Sequence, residues 1–326
     1  MRTSMRSVVA LAAVIGGISN AVAQNWPTRQ VTLVVPYAAG AASDIVARII
    51  APRLSELLGQ PVIIENIAGA GGLTGSIRVA RAAPDFHQIV LGNSGTHAQN
   101  QSLYKRPPYN PATDFAPVAL IGKGAMVLIV RNELPANTLP EFISYAKANE
   151  AKMQYGSAGP GSAIHLACLL FNAAVGLNVT HVPYRASSAA LQDLIPGRID
   201  YMCPVDGSVI AQIDSKAVKA IAVLRTKRSP ILPKLPTASE QGLTDFDTSL
   251  WWALFLPKGA PAAIVQRLHE ATIAMMDTPS VQERMRELGV DLAEPELRSS
   301  EYLRTFVESE IDKWAAPIKA SGLSMD

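Results

Sequence analysis

Short apolar runs rich in β-branched residues alternate with segments of helical periodicity along most of this chain of 326 residues. The first run, Val31–Val35, has the continuous apolar character of a strand that is buried in a parallel sheet. A helical pattern follows and ends at Gly59, although Pro52 inside it predicts a kink or a break. Strand and helix patterns then alternate to about residue 223. This alternation predicts an α/β fold of mainly parallel sheets flanked by helices.

The last part of the chain differs from the rest, because it contains no glycine-rich loop. We interpret its elements as scaffold, with a strand at 251–256 and helices at 261–276, 281–288 and 300–316. The pattern predicts two domains, with the chain crossing over near residue 122 and returning near residue 250. The first domain would comprise residues 24–122 together with 250–326, and the second residues 123–249.

The N-terminus has the three parts of a secretory signal peptide. Arg2 and Arg6 precede an apolar run at 8–18, and Ala21-Val22-Ala23 supplies the small residues that a signal peptidase needs. The alternative is a membrane anchor, which needs roughly 20 apolar residues, and Asn20 cuts this run short. We therefore predict cleavage after Ala23 and export of the mature protein to the periplasm.

The charges of the predicted mature chain balance. Two of the 29 basic residues would leave with the signal peptide, so 27 lysines and arginines would remain against 27 acidic residues. A nucleic-acid-binding protein normally shows a basic stripe or patch, and the sequence contains no basic run. We expect no nucleic-acid partner.

Cys168 and Cys203 are the only cysteines, too few for a disulfide-dense secreted scaffold. Both lie among apolar residues. This setting favours two buried free thiols, with a single disulfide as the alternative if the helix and the strand that carry them are adjacent.

Two glycine-rich loops carry the strongest functional signal. One runs from Tyr155 to Leu166 and leads into an apolar helix, and the other covers 35–44 about a hundred residues upstream. Glycine lets the backbone approach a ligand closely, and the first turn of a helix has unpaired N–H groups that attract anions. Both loops follow predicted strands, where ligands of α/β sheets bind. We therefore expect a cleft that holds a small carboxylate from both sides.

Other readings of the motifs are weaker. The glycines at 69–75 do not match a dinucleotide fingerprint, because Thr74 stands where its third glycine belongs. Ser162 and His165 share a helix face, which suggests a hydrolase, but the nucleophile-elbow motif is absent. The histidines have no metal-ligand spacing. We predict no metal, no cofactor and no catalytic residue.

These motifs, in their order along the chain, resemble the substrate-binding proteins of tripartite tricarboxylate transporters, also called Bug receptors. The resemblance covers the whole predicted mature chain. Its residues are Trp26-Pro27, Val34-Val35-Pro36-Tyr37, Leu58-Gly59-Gln60-Pro61-Val62, Glu65-Asn66, Gly69-Ala70-Gly71-Gly72, Pro107, Tyr109, Pro111, Asp114-Phe115, Pro117-Val118, Tyr155-Gly156-Ser157, His165-Leu166, His181-Val182-Pro183-Tyr184, Asp193-Leu194, Gly197, Asp200, Leu232-Pro233, Pro236-Thr237, Trp251 and Trp314.

The resemblance implies a two-domain periplasmic binding protein of the type II-like Venus-flytrap class. Such a receptor closes on a small carboxylate and delivers it to integral membrane permease subunits. Two alternatives are an exported α/β hydrolase and a sensing receptor that presents its loaded form to a sensor kinase ectodomain. Ala41 and Ala42 replace part of the glycine usual in the first loop, and Arg185-Ala186 stands where a basic residue and glycine are common. These departures leave the identity of the carboxylate open.

The loops and the resemblance together give a set of candidate ligand-binding residues. Ser43 or Asp44 would cap the helix that follows the first loop. Asp44 would otherwise orient the loop, since a second negative charge repels an anion. Arg185 could hold a second carboxylate with two hydrogen bonds. The full set is Tyr37, Ala38, Gly40, Ala41, Ser43, Asp44, Asn93, Ser94, Ser157, Ala158, Gly159, Gly161, Ser162, His165, Tyr184, Arg185 and Asp206.

Overall fold

The computed structural model describes residues 26–320, 322, 324 and 325, and the predicted signal peptide with its cleavage site lies outside them. Their strands are β1 (Val31–Val35), β2 (Val62–Asn66), β3 (Gln88–Asn93), β4 (Phe115–Gly124), β5 (Val127–Arg131), β6 (Gln154–Ser157), β7 (Thr180–Pro183), β8 (Tyr201–Met202), β9 (Val218–Val223), β10 (Leu250–Pro257) and β11 (Val290–Leu292). The α-helices are α1 (Ala42–Leu58), α2 (Leu73–Ala80), α3 (Asn100–Leu103), α4 (Leu139–Asn149), α5 (Ala163–Val175), α6 (Ser187–Leu194), α7 (Ile210–Asp214), α8 (Ala262–Met276), α9 (Pro279–Glu287) and α10 (Ser300–Ala320).

The strands form two sheets, in the orders β11-β4-β10-β3-β1-β2 and β7-β6-β8-β5-β9. In the first sheet β1 runs parallel to β2 and β3, and in the second β6 runs parallel to β7 and β8. The remaining pairs are antiparallel. In the first sheet β10 pairs with β3 and β4, and β11 pairs with β4, whereas in the second sheet β5 pairs with β8 and β9. The α/β class is therefore confirmed, and each sheet is mixed, with a parallel half and an antiparallel half.

The chain passes between the two sheets twice. It leaves the first sheet at the end of β4 and enters the second at the start of β5, and it returns between β9 and β10. The largest hydrophobic core contains residues of both sheets, with the fully buried Trp251 and Trp252 of β10 among them. The two passages place the carboxyl ends of the parallel strands opposite one another, where the site lies.

Helix α1 is continuous, so the break that Pro52 predicted is absent. Val46, Ile50 and Leu54 on its inner face have no exposed surface, and this burial outweighs the cost of a proline in a helix, about 3 kcal/mol. Its N-cap is Ala41, which has no side-chain cap bond. The prediction that Ser43 or Asp44 caps this helix is therefore wrong.

Two further features differ from the sequence-based predictions. Cys168 of α5 and Cys203 after β8 form a disulfide with a Cα–Cα distance of 5.4 Å, so the prediction of free thiols is wrong. The bond joins α5 to the segment that follows β8, a contact that apolar composition alone does not reveal. Residues 92–96 have the polar composition of a simple turn, but they lead into a buried π-helix, Gly95–Gln99, which continues into α3. Within the described residues, no helix is both long and apolar enough to cross a bilayer.

Candidate functional site

A small cavity lies between the two sheets, with a volume of about 30 Å³. A wider cleft of about 570 Å³ lies beside it, and Ala158 lines both. The inner cavity is lined by Tyr37, Ala41, Ala42, Ser43, Asn93, Ala158, Ser162, Ala163, Ile164, Ser187, Val205 and Leu250. The outer cleft is lined by Ala68, Gly69, Ala70, Gly71, Ala158, Gly159, Pro160, Pro183, Tyr184 and Arg185.

The N-termini of three helices meet at the inner cavity. Helix α1 begins at Ala42, α5 at Ala163 and α6 at Ser187, and each of these residues lines the cavity. First-turn N–H groups have no partner within their helix, and each helix N-terminus carries about half a positive charge. None of the side chains that line the cavity is charged. The arrangement therefore favours an anion that is held by backbone N–H groups.

A hydrogen-bond network fixes the wall formed by β1 and β3. The hydroxyl of Tyr37 lies 3.2 Å from Asn93 Oδ1 and 3.2 Å from the carbonyl oxygen of Gly71. Trp252 Nε1 donates to Ser43 Oγ at 2.9 Å, and Asn93 Oδ1 also accepts from the backbone N–H of Thr96 at 3.0 Å. Burial raises the pKa of Tyr37 well above its ordinary value, so its hydroxyl stays neutral. The wall presents fixed, uncharged polar groups to the cavity.

Asp44 fixes the glycine-rich loop at 35–44 by hydrogen bonds. Its carboxylate accepts from Gly40 N at 2.9 Å, from Asn66 Nδ2 at 3.0 Å and from Arg48 Nε at 2.9 Å. Burial alone would raise its pKa, but these hydrogen bonds outweigh burial and the pKa lies below its ordinary value. Asp44 does not line either cavity. Its geometry suits the orienting role that the sequence suggested.

The second loop is held by its own side chains. Ser162 Oγ donates to the carbonyl oxygen of Gly159 at 2.7 Å and accepts from the backbone N–H of His165 at 3.3 Å, which caps α5. Ser157 Oγ lies 2.7 Å from His181 Nε2 and accepts from Gly159 N at 3.1 Å. Gly159 has a φ of 102°, which favours glycine. Ser162 lines the cavity and Ser157 supports the loop behind it.

His165 supports the backbone of this loop. Its Nδ1 accepts from Gly161 N at 3.1 Å, and its ring lies 4.1 Å from the ring of His181. Burial, with a smaller contribution from His181, lowers the pKa of His165 to about 3, and burial lowers that of His181 to about 4. Both rings are therefore neutral near pH 7. Because Ser162 Oγ bonds backbone atoms, the Ser–His pair that a hydrolase needs is not formed between Ser162 and His165.

Tyr184 and Arg185 lie at the outer cleft. The Tyr184 hydroxyl donates to Asp193 Oδ2 at 2.8 Å, and burial raises its pKa to about 12. Arg185 is exposed and faces the same cleft as the loop Gly69 to Gly71. The cation therefore lines the outer cleft, which shares Ala158 with the inner cavity.

Asp206 lies away from both cavities. It is fully buried at the junction of the two sheets, where it accepts from Ser229 Oγ at 2.5 Å and from Gly207 N at 2.8 Å. Burial raises its pKa to about 6. In this segment Val205 lines the inner cavity and Asp206 does not, so a ligand contact of Asp206 stays a prediction.

Some candidates lie behind the lining residues, and some lining residues were not predicted. Ala38, Gly40 and Ser94 belong to the loops but do not line the described cavities. Ser187 was missed although it follows Arg185-Ala186 at the start of a predicted helix. Ile164, Val205 and Leu250 were also missed, and Val205 and Leu250 lie at the junction of the sheets, a position that has no local sequence signal.

Gly71 and Gly95, from segments of the first sheet, lie close to the glycine-rich loop at 155–166 across the cleft. A Cβ atom on Gly71 would lie 2.3 Å from the carbonyl oxygen of Pro160, and one on Gly95 would lie 3.1 Å from Ala163 N. Both contacts join residues of the first sheet's loops to residues of the second sheet's loop. Glycine at position 71 therefore permits this close approach. The part of the chain that the structure describes contains no cluster of three or more His, Cys, Asp or Glu residues that could hold a metal ion.

The chain is similar to known proteins over most of its length. The family model of the tripartite tricarboxylate transporter family receptor matches residues 46–323. MatC from Rhodopseudomonas palustris, solved with bound malate, is 38% identical, with a TM-score of 0.87 and coverage of 90% of this chain and 100% of that chain. The periplasmic binding protein BugD is 37% identical, with a TM-score of 0.87 and coverage of 92% and 100%. An R. palustris protein solved with adipate is 35% identical, with a TM-score of 0.86 and coverage of 92% and 99%.

These likenesses confirm the fold class as that of periplasmic binding proteins. The matching proteins are solute-binding receptors and not enzymes, so the hydrolase alternative is not supported. The chain belongs to the tripartite tricarboxylate transporter receptor family, as its motifs predicted.

Proposed function

We propose that this protein is a periplasmic receptor that captures a small carboxylate between two domains, residues 24–122 with 250–326 and residues 123–249. The observation that carries the proposal is the meeting of three helix N-termini at a cavity with no charged side chain. A carboxylate there gains the interaction with three partial positive charges and needs no counter-ion from a side chain.

The second end of the ligand would extend into the outer cleft towards Arg185. Ala158 lines both spaces, so one ligand can occupy them together. None of the residues that line either space is acidic, and the ammonium group of an amino acid would have no counter-charge. We therefore favour dicarboxylates without an amino group. The malate and adipate of the two R. palustris structures belong to this class.

Capture of the ligand would serve its delivery to a membrane permease. The family description names these proteins as receptors of a transporter, which supports permease subunits as the partner. The mature receptor would begin at Gln24, after removal of the signal peptide. Intact-mass measurement on a periplasmic extract tests this start, and recovery of the full chain from the membrane fraction would contradict it.

A thermal-shift screen of carboxylates tests the binding function. A ligand that binds only the folded state raises the free energy of unfolding by about 2.7 kcal/mol at a hundredfold excess over Kd. We expect stabilisation by dicarboxylates and a smaller effect of the amino dicarboxylate of equal length. Stabilisation by sugars or cationic amino acids, with none by any carboxylate, would contradict the proposal.

A further inference from the structure

A groove of about 650 Å³ lies outside the ligand cleft, beside the outer edge of β9. Its walls are β9, the end of α7, the loop that follows β9 and the loop that follows β5. None of its residues lines the carboxylate cavities. They are Asn132, Asn137, Ile213, Asp214, Lys216, Val218, Lys219, Ala220, Ile231, Leu232, Pro233, Lys234 and Leu235.

Strand β9 is the last strand of its sheet, and its outer edge is only partly covered. Val223 bridges Thr237, and Gln241 Nε2 donates to the carbonyl oxygen of Ile221. Residues 218–220 have no strand partner on the outer side among the described residues. An uncovered edge of this kind offers backbone N–H and C=O groups to another extended chain.

The rim of the groove is positively charged. Three lysines line it against one acid, Asp214. Lys219 Nζ donates to the carbonyl oxygen of Leu134, while the exposed Lys216 and Lys234 form no ion pair within the described part of the chain. Between the lysines the floor is apolar and includes half-buried isoleucine and leucine side chains. The groove thus combines a free strand edge, an apolar floor and a basic rim.

We propose that this groove binds an extended acidic segment of a partner protein, which adds a strand to the edge of β9. Side chains of an added strand alternate between the two faces, so apolar residues would contact the floor while acidic residues reach Lys216 and Lys234. The free edge at 218–220 spans roughly 10 Å, which suits a brief docking contact. The position of the groove leaves the carboxylate site free while the partner is bound.

The test is an NMR titration of the full mature protein with a short blocked peptide that alternates glutamate and valine. The amide signals of Val218, Lys219 and Ala220 should shift. The double variant Lys216→Glu/Lys234→Glu should weaken the peptide affinity roughly tenfold or more, because two attractive charge pairs become repulsive. The control Lys147→Glu/Lys152→Glu changes two exposed lysines outside the groove and should leave the affinity unchanged.

Three outcomes would overturn the proposal. The first is that the Lys216→Glu/Lys234→Glu variant binds the peptide with the same affinity as the wild type. The second is that the wild type binds the peptide equally well when alternate backbone nitrogens of the peptide are methylated, since the methylated peptide keeps its charge but cannot pair as a strand. The third is binding of the protein to phosphatidylglycerol vesicles, dependent on Lys216 and Lys234, with no binding of the peptide. Succinate affinity, measured on both variants, should not change, so failure of the groove and failure of the ligand cleft give different results.

Discussion

The disulfide between Cys168 and Cys203 should contribute a large share of the protein's stability. It closes a loop with a sequence separation of 35 residues. Closing such a loop removes chain entropy from the unfolded state that corresponds to about 4 kcal/mol at 25 °C. Both cysteines are fully buried, so the bond resists reductant while the protein is folded. We expect Cys168→Ala/Cys203→Ala to lower the free energy of unfolding by about 4 kcal/mol or somewhat more, because the alanines also leave small cavities.

Guanidinium unfolding with and without reductant measures this contribution. When the wild type is unfolded and then refolded in reductant, its free energy of unfolding should fall. The free energy of unfolding of the double-alanine variant should be the same with and without reductant. The disulfide also ties α5, which begins at the ligand cavity, to the segment that leads to Val205. A loss below about 1 kcal/mol in the variant, or a wild type that is insensitive to refolding in reductant, would refute the entropic argument.

Three further predictions concern the site. Gly71→Ala should weaken ligand binding and domain closure, because its Cβ would lie 2.3 Å from the carbonyl oxygen of Pro160. The control is Gly59→Ala, since Gly59 has a similar positive φ and no neighbour within 4 Å. Calorimetry and small-angle scattering compare the two variants, and equal effects would contradict the clash. Arg185→Ala should cost roughly 1.5–3 kcal/mol of binding free energy for a dicarboxylate once domain closure shields this exposed side chain from water, whereas a position that stays at the rim would show a far smaller loss. The loss for a monocarboxylate should be small, and an equal loss for both ligands would remove Arg185 from the second end of the ligand. Burial lowers the pKa of His165 to about 3, so between about pH 6.5 and pH 3 only the unfolded chain binds a proton at this residue. The free energy of unfolding should therefore fall on acidification by up to about 1.4 kcal/mol per pH unit. Urea unfolding near pH 7 and near pH 5 should show a smaller loss of this free energy in His165→Gln than in the wild type, and equal losses would refute the prediction.

The sequence predicts most of the fold because its signals are local. Apolar runs mark the strands, and glycine with proline marks helix ends such as Gly59. The loops at 37–44 and 156–162 were placed opposite one another because each follows a parallel strand. Pro52 misled the prediction, since tertiary burial of α1 overrides the local cost of proline.

The parts that the sequence does not predict depend on contacts between distant segments. The Cys168–Cys203 bond requires α5 and the segment after β8 to meet at one position, which composition does not specify. Val205 and Leu250 reach the cavity only because the chain passes between the sheets there. Asp206 is an acidic residue in a loop after β8, but Ser229 Oγ and Gly207 N hold its carboxylate in hydrogen bonds away from both cavities.

The central claim is that helix N-termini in the cleft recognise the negative charge of a carboxylate. Isothermal titration calorimetry of the purified mature protein with succinate and with its uncharged diamide tests this claim most directly, because the two molecules have nearly the same shape. The account predicts measurable binding of succinate and at least roughly hundredfold weaker binding of the diamide, about 2.7 kcal/mol, which is within the reach of three helix termini and one arginine. Equal affinity for the two molecules, or no binding of any dicarboxylate, would contradict it.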